Sequence, residues 1–136
     1  MSDPSIADVT EALANVIGQV PGLQAQSFVS DVVNAPEAQI FLRPFDPRYT
    51  FGDQTRRYTL GVRVFVPRTD PRSAQLTLWG FMEPSGSTSV RARIEDSGAW
   101  SVEVDYAEVT NVGQPFELVL EQGVFWCVDF DVDVVW

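Results

Sequence analysis

A chain of 136 residues, 45% hydrophobic with four tryptophans and nine phenylalanines, suffices for one domain with one core and is too apolar for disorder. A formal charge of −10 and an isoelectric point near 4.2 exclude binding of a nucleic-acid backbone over the whole surface. The lack of histidine removes the usual general base and the commonest metal ligand, and a lone cysteine, Cys127, excludes an internal disulfide and a cysteine-based zinc site.

Asp3-Pro4 predicts the start of a helix, because aspartate accepts backbone N–H groups at the N-cap and proline suits the first helical position. Ile6, Val9, Leu13, Val16, Ile17 and Val20 then fall on one stripe at 3.6-residue spacing, and Pro21-Gly22 ends it. The start MSDPSIADV has neither the basic nor the apolar stretch of a signal peptide, and no apolar run approaches the ~20 residues of a membrane span. Residues 27–33 read as extended, and 38–42 as a strand with Ala38, Ile40 and Leu42 on one face.

Residues 43–57, RPFDPRYTFGDQTRR, carry two prolines, four arginines and three aromatics but no core pattern. This is a long loop or extended hairpin, and loops of that length in a compact domain tend to be functional. Residues 58–66 form the clearest strand, Tyr58, Leu60, Val62, Val64 and Val66 alternating with Thr59, Gly61, Arg63 and Phe65. Asp70-Pro71 repeats the cap signal and opens a helix to about Met82, whose apolar positions are Ala74, Leu78, Phe81 and Met82. Residues 88–96 read as a short third helix with Val90 and Ile94 inward. Strands are expected at 100–110 and 124–135, with 114–120 as a further strand or hairpin arm between them. The order implies an α+β single domain: a mainly antiparallel sheet, two to three helices packed on one face, and a long extended loop or hairpin.

The chemistry on offer is sparse. No serine sits in a nucleophile-elbow pattern and no glycine-rich phosphate loop appears. Asp129, Asp131 and Asp133 suggest calcium ligands at first, but they lack the glycine and distal glutamate of a calcium loop. At period two they form a carboxylate row on one face of a strand, either solvated, arginine-paired or offered to a partner. Cys127 reads as a packing residue. The reading is therefore of a protein that is not an enzyme, with no catalytic, cofactor-binding or metal residues.

Charge is strongly segregated. All nine bases are arginines between Arg43 and Arg93; residues 1–42 carry −5, residues 43–93 carry +5 and residues 94–136 carry −10. Such a chain can pair a basic strand with an acidic one, Arg63 reaching Glu103, Asp105 or a terminal aspartate. It can also pair the basic middle of one copy with the acidic end of the next, a heterologous contact that closes into a ring where the rotation permits. Arg48, Arg56 and Arg57 lie with Phe45, Tyr49 and Phe51 in the long segment, where internal pairing is harder to arrange and where interface composition is matched.

Five segments in order, IGQVPGL, PEAQIFLRP, YTFGDQTRRYTLGVRVFVPRTDPRSAQ, SGSTSVRARIED and EQGVFWCVDFDVDV, make the chain resemble the tail-terminator proteins of long-tailed bacteriophages. The LWGFMEP end of the second helix and the acidic last strand are departures from that pattern. The resemblance implies a structural virion protein of the neck, assembled in the bacterial host cytoplasm. It would form a homo-oligomeric ring, six-membered, on the major tail tube protein, stop tube growth and present a surface to a head-completion or stopper protein. DNA would be a partner only by passage through the channel, and no membrane is involved. In that setting Phe45, Arg48, Tyr49, Phe51, Arg56 and Arg57 would contact the tube or a neighbour, and Arg63, Asp129, Asp131 and Asp133 would face a neighbour or the channel. A head-completion or stopper protein is the nearest alternative, and a cytosolic binding module is one of another class.

Overall fold

Ser5, rather than Asp3, caps the first helix in the computed structural model, which describes residues 5–29, 33–42, 57–68 and 70–136. Ser5 Oγ accepts the Asp8 N–H at 3.1 Å, and Asp8 Oδ2 accepts the Ser5 N–H at 2.9 Å. This reciprocal box satisfies two N–H groups that the first helical turn leaves without partners. The backbone bond from Ser5, and then its hydroxyl, hold the Asp8 carboxyl below its ordinary range. Helix α1 (Ile6–Ile17) buries the predicted stripe, and Val20 is buried just beyond its end, before a turn in which Gly22 takes φ 81°.

The first strand lies earlier than the extended stretch read at 27–33. It is β1 (Gln24–Gln26), laddered in parallel with β2 (Glu37–Leu42), and the chain bends at Ser27 and Phe28. Ladder pairing with Glu37, Ala38 and Gln39 decides this position, and local propensity does not. Strand β3 (Arg57–Pro67) is followed by α2 (Pro71–Met82), capped by Asp70, and α3 (Val90–Ile94), capped by Ser89. Next come β4 (Tyr106–Val112), β5 (Phe116–Leu120) and the long β6 (Gly123–Val135).

The strand expected at 100–110 is shifted toward higher numbers. Tyr106 already pairs with Val135, the last laddered residue of β6; Asp105 N–H still donates to the Val135 carbonyl at 2.8 Å, and the ladder goes no further back. The preceding residues follow a short 3-10 turn, and the Trp100 indole donates to the Ile94 carbonyl at 2.9 Å, anchoring this stretch to α3.

Among the described residues six strands run β1-β2-β3-β6-β4, with β5 beside the first half of β6, and every pair except β1–β2 is antiparallel. The protein is thus an α+β domain. One phase of the strands, Ile40, Leu60, Val62, Val64, Val128, Phe130, Val132 and Val134, meets the three helices in one core. Burying each aliphatic side chain there contributes about 1.5–3 kcal/mol. Among the described residues no helix is long and apolar enough to cross a membrane.

Gly61 sits in the middle of β3, where glycine ordinarily weakens a strand. The reason is Phe41 on β2, its register partner: a Cβ at position 61 would lie 2.4 Å from the Phe41 ring. Gly61→Ala is expected to cost about 1–3 kcal/mol through this overlap. In urea titrations the loss should shrink when Phe41→Leu is added, because the two sites couple. Equal losses with and without the second change would show that the ring does not cause the effect.

Candidate functional site

The other phase of the strands builds a second face, away from the helices. Glu37, Gln39 and Phe41 of β2 stand beside Phe65, Arg63 and Gly61 of β3, and these stand beside Cys127, Asp129 and Asp131 of β6. The row continues to Thr59 and Asp133. Period-two alternation therefore places Arg63 and all three terminal aspartates on one face, as read from the sequence.

Arg63 takes one of the partners proposed for it. Its Nε donates to Asp129 Oδ1 at 2.8 Å and an Nη donates to Oδ2 at 3.0 Å, a bidentate pair within one chain. The guanidinium carbon also lies 5.5 Å from the Phe41 ring centroid and 5.0 Å from that of Phe116 on β5. Both ring faces favour a cation at that range. The Asp129 hydrogen bond, opposed by partial burial, raises the Arg63 pKa, so the guanidinium stays charged. Asp133 accepts from the Thr59 hydroxyl at 2.7 Å, and Asp131 accepts from the Asn111 amide at 3.4 Å.

At one end this face is apolar. Val33, Phe65, Phe125 and Cys127 form a second cluster, with Phe65 and Phe125 edge to face at 6.1 Å. The Gln122 side chain pins Val33 there: Oε1 accepts the Val33 N–H at 3.0 Å and Nε2 donates to the Val33 carbonyl at 2.6 Å. Burial pushes the Cys127 thiol up to about 12, so it stays protonated at neutral pH and packs as a small apolar group. Stability from the protonated thiol is complete below the ordinary value of 9.0 and is lost as pH rises toward 12.

Between this cluster and the Arg63–Asp129 pair opens a cleft of about 750 Å³. It is lined by Gln39, Phe41, Arg63 and Phe65 of β2 and β3, by Leu118 and Leu120 of β5, and by the exposed Val29 and Glu121. The cleft was not legible in the sequence, although Gly61 within the best strand signalled that something packs closely there. Phe41 and Phe116 were likewise missed as the rings beside Arg63.

Of the long-segment candidates, Phe45, Arg48, Tyr49, Phe51 and Arg56 lie outside the described residues. Arg57 opens β3 opposite Val135, its side chain also outside the description. Among the described residues no group of three or more His, Cys, Asp and Glu is arranged to hold a metal ion. The geometry offers ring faces, an apolar cleft and a row of hydrogen-bond acceptors, the equipment of a recognition surface.

Asp129→Asn is expected to cost about 2 kcal/mol. Breaking a buried pair costs about 3–5 kcal/mol, but the Arg63 and Asp129 side chains are 34% and 17% exposed, and water recovers part of this. In a double-mutant cycle with Arg63→Met the two losses should fall short of additivity. Strict additivity would show that the pair carries no coupling energy.

Comparison of the chain with models of known protein families and with curated protein sequences finds no match.

Proposed function

We propose that this chain is a structural protein of a bacteriophage virion, a tail terminator that forms a ring, six-membered, on the end of the tail tube. Its role is to stop polymerisation of the major tail tube protein and to join the tail to a head-completion or stopper protein in the neck. The observation that carries the reading is the charge segregation, +5 over residues 43–93 against −10 over residues 94–136.

The fold absorbs part of that imbalance internally. Arg63, Arg68 and Arg91 pair with Asp129, Glu117 and Glu95, all three acids from the last third of the chain. Glu103, Asp105 and Glu121, from the same third, are exposed and form no ion pair among the described residues. This surplus suits the arginines of a neighbouring copy and would strengthen a heterologous contact most at low salt. The order of helix, strands, helices and terminal acidic strand, and the five segments quoted above, support the same reading.

Negative-stain images of assembled necks test it. A six-fold ring between tube and head is expected, and particles lacking the protein should have tubes of uncontrolled length. A single copy or a dimer in the neck would defeat the reading; normal tube length without the protein would favour a stopper.

A further inference from the structure

Helix α2 presents two faces. Ala74, Leu78 and Phe81 are buried, while Arg72, Leu76 and Trp79, spaced i, i+4 and i+7, lie on the opposite side. Leu76 is 55% exposed and Trp79 50%. A solvated helix face rarely keeps a tryptophan and a leucine together, and tryptophan with arginine is the composition of an interface centre. Arg72 at the end of this stripe forms no ion pair among the described residues.

The cleft on the far side of the sheet is its complement. Its lining joins Phe65, Leu118 and Leu120, apolar side chains for which Leu76 and Trp79 are suitable partners, to Gln39 and to Arg63, whose charge Asp129 already pairs. It also includes Glu121, an exposed acid also without an ion pair among the described residues. An apolar stripe with an unpaired arginine and a mainly apolar cleft with an unpaired carboxylate thus match one another among the described residues. Because α2 packs on the helix side of the sheet and the cleft opens on the other, the two point away from each other within one chain.

We propose that the Arg72–Leu76–Trp79 stripe of one copy docks in the cleft of a second copy, with Arg72 meeting Glu121. The contact is heterologous: each copy offers a stripe and a cleft, and every joined pair leaves one of each free. Closure of such a series into a ring rests on the function proposed above; the contact itself does not.

The test uses the full-length chain at high concentration. Arg72→Cys and Glu121→Cys, which leave Leu76 and Trp79 in place, are made as separate variants, oxidised alone and as a mixture; Cys127 is fully buried and does not compete. The mixture should give a disulfide-linked pair of unlike chains, and neither variant alone should link to itself. No link in the mixture, or self-links of either variant, overturns the contact and leaves the stripe to a different partner. Trp79→Ala should weaken self-association about thirtyfold, the loss of a tryptophan anchor.

Arg72→Glu provides an arm that disturbs no core residue. It should weaken association, and Glu121→Arg in the same chain should restore it; association unchanged by the first substitution overturns the proposal. The two readings fail separately. Six-fold necks without the cross-link sink the contact alone, and a cross-linked pair together with necks that are not six-fold sinks the ring alone.

Discussion

Phe130→Ala is expected to destabilise the protein by about 3–5 kcal/mol, the range for removing a fully buried phenylalanine. Phe130 is among the largest fully buried side chains and sits on β6, in register with Val62 of β3 and Val112 of β4. Its neighbours Val62, Val128 and Val132 are all short and β-branched, so the surroundings have little freedom to close the void. Against a total stability of about 5–15 kcal/mol this is a fifth or more. Urea denaturation should show an earlier midpoint with an unchanged slope, because the surface exposed on unfolding hardly changes. Val119→Ala on the β5–β6 hairpin, at a residue 69% exposed, is the control and should stay within about 0.5 kcal/mol. A Phe130→Ala loss under about 1 kcal/mol would mean that the core collapses into the vacated space.

The second large effect is expected in the particle and not in the fold. Arg56→Ala with Arg57→Ala should leave the melting temperature nearly unchanged, because ion pairs at a protein surface contribute about 0–1 kcal/mol each. Among the described residues the apolar core is assembled from other side chains. In the proposed role these arginines pair bidentately with carboxylates of the tube or a neighbour, and Phe45, Tyr49 and Phe51 add apolar contact beside them. The double variant should therefore yield tails of uncontrolled length or particles with unjoined heads, read directly from micrographs. Normal tails and normal infectivity would remove this segment as the main contact and leave α2 as the surface to test.

Local rules were sufficient wherever a single periodicity governed a segment. The α1 stripe, the alternation of β3 and β6, and the Asp70 cap of α2 were legible because each encodes one buried face in consecutive residues. The α+β class follows from the order of those elements. Cap choice was less secure. Two residues near the N-terminus can cap a helix, and the Ser5–Asp8 box wins over Asp3 because it satisfies two backbone groups at once. Strand limits at β1 and β4 were misplaced for a different reason. A strand extends only where another strand bonds it, and the partners Glu37–Gln39 and Val135 lie far away in sequence.

The sequence by itself determined the helix-side core, the placement of Asp129, Asp131 and Asp133 on one strand face with a phase opposite to Phe130, and the surplus of acid in the last third. Which carboxylate Arg63 takes, why position 61 must be glycine, and that a cleft lies between Phe65 and Leu118 were decided only by tertiary structure. The difference is one of range. Periodicity is a property of neighbouring residues, whereas Arg63–Asp129 spans 66 positions and depends on the register with which β3 and β6 align. A slip of one residue in that register would exchange the two faces, moving Asp129 toward the helices and Phe130 toward the cleft. The buried valines of both strands are what forbid it.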